Sequence, residues 1–184
     1  MSNTAIEHRP MFAIANTIRT AAFAVVVALG AALSLVNGAQ AAQEVNIVDG
    51  YAVHGYDVVA YFTQGKPTEG NDRYTADYDG ATYRFASAAN RDKFAADPAA
   101  YAPQYGGFCA FGTAMGRKFD GDPHAWRIVD GKLYLNLNKK IQKRWLTDVP
   151  GFIRGADHNW PLISDIADEQ LASNPPADLT QGAI

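Results

Sequence analysis

The chain has 184 residues, 48% of them hydrophobic and 19% charged, with a formal net charge of −3. That size and composition fit one globular domain rather than two. The absence of any basic excess argues against nucleic-acid binding, and a single cysteine, Cys109, excludes an intrachain disulfide.

The N-terminal stretch differs from the rest. Ala21 to Val36 is an uncharged run of 16 residues, preceded by Arg9 and Arg19 and followed by Ala39-Gln40-Ala41. A positive n-region, an apolar h-region and a small-x-small site make residues 1–41 a secretory signal peptide, cleaved near Ala41. The run is shorter than the ~20 residues a membrane span needs. The expectation is therefore a periplasmic or secreted protein with no stable membrane span after cleavage. Removing the leader leaves 143 residues and takes the net charge from −3 to −4. A chain of that length buries roughly 68–70% of its unfolded surface. In an oxidising compartment a solitary thiol is buried, paired with another molecule, bound to a metal or reactive.

Glu44 to Val48 alternates as an opening strand, punctuated by Asp49-Gly50 and His54-Gly55. Asp57 caps a short helix, Val58 to Phe62, which Gly65 ends; residues 66–72 are a polar loop. Tyr74–Tyr78 and Ala81–Phe85 flank Asp79-Gly80, and Asp-Gly tolerates the positive φ angles of a type I′ hairpin turn. Tyr83 and Phe85 share a face of that hairpin. Ser87 caps a helix over Ala88–Ala96, anchored by Phe94 and stopped by Asp97-Pro98. Pro98 suits the first turn of a second short helix reaching Tyr101.

Gly106-Gly107 and Gly112 bracket Phe108-Cys109-Ala110-Phe111, glycines that imply close backbone approach. Residues 113–122 read as loop, with a turn at Asp120-Gly121. A second hairpin joins Trp126–Val129 to Lys132–Leu137 through Asp130-Gly131; Leu133, Leu135 and Leu137 alternate as in a half-buried strand. Asn138 caps a helix to about Thr147, with Leu137, Ile141 and Trp145 on one face. Lys139, Lys140, Lys143 and Arg144 form a solvated face opposite. A further helix runs from Pro150 to Trp160-Pro161, and residues 162–184 hold one more short helix and then a loose tail. The fold class is α+β: a small mixed domain with two antiparallel hairpins packed with short helices, over 42–161.

Tyr83-x-Phe85-x-Ser87, Phe94, Asp97-Pro98 and Tyr101 together resemble the YHS domain. The wider run from Gly55-Tyr56-Asp57 through Tyr105–Cys109 to Val129–Tyr134 is similar to exported, single-domain bacterial members of that family. The resemblance covers about residues 46–160. It implies a small α/β architecture and, from relatives found in metal-transporting ATPases and near metalloenzymes, a link to metal. Two departures stand out. A cysteine-bearing branch has thiolates where this chain has Ala86 and Asn90, and no histidine lies between His54 and His124. A tetrahedral zinc site within the motif is excluded on ligand count.

Three chemistries follow. Copper(I) is satisfied by two or three soft ligands, so Cys109 with Met115 or His124 is the candidate metal set of a periplasmic metal-binding or delivery protein. The alternative is a non-catalytic ligand- or protein-interaction module, with Tyr56, Tyr61, Tyr83, Tyr101, Tyr105, Phe108 and Phe111 lining an apolar groove. A thiol enzyme using Cys109 and His124 is disfavoured, because a thiol in an apolar Phe-Cys-Ala-Phe setting has a raised pKa. No phosphate-binding glycine loop, GxSxG or haem-attachment motif is present.

Overall fold

The structure, a computed structural model, describes Met1 and residues 45–179. The signal peptide expected over 1–41 therefore lies, Met1 apart, outside the described residues, as does the end of the tail at 180–184.

The described chain is α+β, as expected, but has three antiparallel hairpins where two were expected. They are β1 (Ile47–Val48) with β2 (Tyr51–Ala52), β3 (Asn71–Tyr78) with β4 (Ala81–Phe85), and β5 (Asp122–Val129) with β6 (Lys132–Asn136). Each turns on an Asp-Gly pair with both residues at positive φ: Asp49 and Gly50, Asp79 and Gly80, Asp130 and Gly131. One turn chemistry is thus used three times.

Two strands begin earlier than the alternation implied. β3 starts inside the expected 66–72 loop, and β5 starts at the end of the expected 113–122 loop. Each contains a register shift, between Asn71 and Thr75 in one and Asp122 and Trp126 in the other. A bulge breaks the two-residue period, which hides a strand from pattern reading.

Short helices fill the connections. α1 (Val58–Thr63) is capped by Asp57, α2 (Ala88–Ala96) by Ser87 and α3 (Pro98–Tyr101) by Asp97, each side chain accepting from a first-turn N–H. α4 (Ala110–Ala114) was not expected; Gly112 and Thr113 are weak helix formers, and its cap is the Cys109 sulfur, accepting from Gly112 N–H. α5 (Lys139–Trp145) is capped by Asn138 and exposes its four basic side chains, as the charge pattern implied. α6 (Val149–Ile163) runs past the expected end at Trp160-Pro161, with Pro161 held inside its last turn without a backbone N–H to donate. α7 (Asp168–Ser173) buries Leu171.

The core has two clusters, and β6 is the wall between them. Leu133 and Leu135 join Val58, Val59, Tyr61, Tyr83, Phe85 and Phe94 in the first cluster. Tyr134 joins Tyr105, Ala110, Ala114, Trp145, Phe152 and Ala156 in the second. The half-buried strand inferred from its leucines is instead covered on both faces, with Asn136 buried as well, while Leu137 lies beyond the strand and is exposed.

Candidate functional site

The expected metal residues lie in three different settings. Cys109 precedes α4, is 1% exposed, and has its N–H bonded to Phe119 O at 2.8 Å. Its sulfur accepts from Gly112 N–H at 3.3 Å and sits 4.0 Å from Asn136 Oδ1. Burial pushes the Cys109 thiol up, against the smaller opposing effect of nearby backbone N–H groups. Met115 ends α4 and packs on the second core cluster. His124 is exposed on β5, with its Nε2 3.2 Å from the Tyr56 hydroxyl and its ring edge-on to Tyr56. Among the described residues no group of three or more His, Cys, Asp and Glu is arranged to hold a metal ion.

The paired glycine near the thiol does what its sequence implied. Tyr105, Gly106 and Gly107 all have positive φ, and a Cβ on Gly121 would collide with Gly107 O. Asp120, beside Gly121, draws the opening of the domain onto this loop. Its Oδ1 accepts from Asn46 Nδ2 at 2.6 Å and lies 2.8 Å from His54 Nε2. His54 is itself one of three successive positive-φ residues, Val53 to Gly55. The role of these groups is to lock two left-handed turns together.

A concave feature among the described residues lies away from Cys109. A cleft of about 340 Å³ opens between the β3–β4 turn, the segment from α3 to Gly106, and α6. Tyr78 and Asp79 come from the turn, Tyr83 from β4, Tyr105 from the left-handed loop, and Asp157 and Trp160 from α6. Tyr83 is 1% and Tyr105 6% exposed, so these two rings form a floor; Tyr78 and Trp160 are half-buried and form walls.

The walls are held from behind. Tyr78 meets Phe94 edge-on at 5.9 Å and lies 6.5 Å from Tyr83. Trp160 lies 6.0 Å from Tyr105 and 6.1 Å from Phe108. The Tyr105 hydroxyl donates to Asp157 Oδ1 at 2.8 Å. Burial first, and the Asp157 carboxylate second, push its pKa well above the usual tyrosine range, so it stays a donor.

Of the seven aromatics expected to form a groove, only Tyr83 and Tyr105 line this cleft. Tyr61 is in the first core cluster; Tyr56 and Tyr101 pack against it, and Phe111 packs against the second. Phe108 stacks behind Trp160. The sequence reading missed Tyr78, Asp79, Asp157 and Trp160. Proximity to the Asp79-Gly80 turn was the one signal for the first pair, and nothing local marks α6 as the opposite wall.

No curated protein and no solved structure matches the chain. Residues 59–105 match the family model described as the YHS domain. The match holds β3, β4, α2, α3 and the cleft side chains from Tyr78 to Tyr105, and stops short of Cys109, Met115 and His124. By that match, this stretch of the chain is a YHS domain.

Proposed function

We propose that the chain is an exported, non-catalytic binding module that takes a small ligand in the cleft between the β3–β4 turn and α6. The observation that carries this reading is the preformed concavity itself. Two half-buried rings, Tyr78 and Trp160, face a floor of buried rings, and polar groups converge on it from separate elements. Its volume lies at the low end of the ~300–1,000 Å³ typical of ligand sites. Tyr78, Asp79, Tyr83 and Tyr105 lie within the YHS match, and Asp157 and Trp160 lie beyond it.

Side-chain NMR of the purified protein tests it against a small-molecule panel. Ligands are expected to shift Tyr78 and Trp160 resonances and to leave Trp145, fully buried in the second cluster, unmoved. Ligands that bind without touching Tyr78 or Trp160 would refute the cleft. Export rests on the leader sequence and is checked by the N-terminus of the secreted product, expected just after Ala41.

A second reading, a copper-type metal held by Cys109 with Met115 or His124, is favoured by the YHS match, because that family is associated with metal handling. It requires the thiol to leave its buried, protonated state, since the thiolate is the metal ligand. Metal analysis of the protein with Cys109 intact and with Cys109→Ser separates the readings. Tight copper binding lost in the variant would favour metal over the cleft.

A further inference from the structure

We propose that the cleft selects small organic cations, recognising an ammonium-type head group between carboxylates and aromatic rings. This rests on reading the cleft as the binding site. Asp79 and Asp157 line it, while no lysine, arginine or histidine does. The ion pairs among the described residues engage Asp72, Asp92, Asp120 and Asp168, and none neutralises Asp79 or Asp157. Two uncompensated negative charges at a concavity concentrate potential there. An anion is repelled from such a site, and a neutral ligand gains hydrogen bonds but no charge attraction from the pair.

The remaining features complement the charge. Tyr and Trp rings attract cations through their quadrupoles, and more strongly where water is partly excluded. Tyr78 and Trp160 are braced from behind, so little side-chain freedom is lost on binding. Asp157 is braced too: its Oδ1 accepts from Tyr105, which leaves Oδ2 with no hydrogen-bond partner among the described residues. A bare metal ion does not fit, because only two carboxylates line the cleft and no three-residue metal group occurs among the described residues.

The decisive comparison uses choline and its uncharged isostere 3,3-dimethylbutan-1-ol, with guanidinium and glucose as further probes. Each is titrated into the purified protein while the Tyr78 and Trp160 NMR signals are followed. Choline is expected to bind at least about tenfold more tightly than the isostere. The preference should shrink as salt is raised. Asp157→Asn keeps an acceptor for Tyr105, and Asp79→Asn suits the positive-φ turn position, so both variants should fold. Each is expected to weaken choline about three- to tenfold and to leave the isostere unchanged. Equal binding of choline and the isostere, or a response to glucose alone, would overturn the cation inference and leave the cleft as a ligand site. No movement of Tyr78 or Trp160 with any probe would overturn both.

Discussion

Asn90 donates its side-chain amide to the buried carboxylate of Asp57 at 2.7 Å, tying α2 to the cap of α1. The same Oδ2 accepts from Ala86 N–H at 2.9 Å, and Oδ1 accepts from Val59 and Ala60 N–H. Asp57 is fully buried, so these donors replace all of its water. Ala86 and Asn90 are the two positions noted in the sequence as departures from a cysteine-bearing pattern. In this chain both serve a hydrogen-bonded hub.

That hub sets the first expectation. Asp57→Ala leaves several buried donors unpaired and should cost about 3 kcal/mol or more of stability. Asn90→Ala, which removes one donor to a charged acceptor, should cost about 1–3 kcal/mol. Urea denaturation read by tryptophan fluorescence measures both. An unchanged midpoint in Asp57→Ala would show that the hub contributes little.

Gly121→Ala probes the junction of the left-handed loop with β5. The added methyl would meet Gly107 O, backbone that cannot swing aside as a flexible side chain does, and also the Leu135 side chain. A loss of about 2 kcal/mol or more is expected. Gly80→Ala is a useful contrast, since it has open space around it and only its positive φ resists the change. It should cost about 1 kcal/mol.

The parts of the fold that were legible in the sequence are those with local causes. Asp57, Ser87, Asp97 and Asn138 were readable as caps, and Asp79-Gly80 and Asp130-Gly131 as turns, because each acts within three residues of itself. What escaped were consequences of distant packing. β6 alternates like a half-buried strand, yet Tyr134 on its polar-looking face is covered by Trp145 and Tyr105. The cleft escaped for the same reason: Tyr78 and Trp160 are 82 positions apart and meet the same space only after both clusters form. Cys109, which stands out in the sequence, does not line the cleft.

Cys109 should be a slow thiol. It is almost wholly covered and burial favours its neutral form, so both access and thiolate fraction are low. At pH 8, alkylation by iodoacetamide is expected to run at least about a hundredfold slower in the folded protein than in denaturant. Mass spectrometry over time gives both rates. Equal rates would show that the thiol is open, and would return it to consideration as a nucleophile or a ligand.

The buried tyrosines set the alkaline limit of stability. Tyr61, Tyr83 and Tyr105 all have pKa values raised above the ordinary range, in each case chiefly by burial. A raised folded-state pKa means that the folded chain holds the proton more tightly than the unfolded chain. Its stabilisation is fully present below about pH 10, where both states are protonated, and is lost as pH rises beyond that. Tyr61, Tyr83 and Tyr105 alone should make the unfolding free energy fall by about 4 kcal/mol per pH unit above pH 10. Tyr134 and Cys109, also raised by burial, add to the fall. Tyrosine ionisation, followed by ultraviolet absorbance, should then coincide with loss of tryptophan packing in one transition. Tyr61 donates to Pro123 O and Tyr105 to Asp157, so removing either hydroxyl also removes a bond. Tyr83 has no side-chain hydrogen bond among the described residues, which makes Tyr83→Phe the clean variant. It should leave stability at pH 7 nearly unchanged and lower the alkaline dependence by about one proton. An alkaline dependence unchanged in Tyr83→Phe would mean that Tyr83 ionises without unfolding the domain, and that its edge of the cleft is open to water.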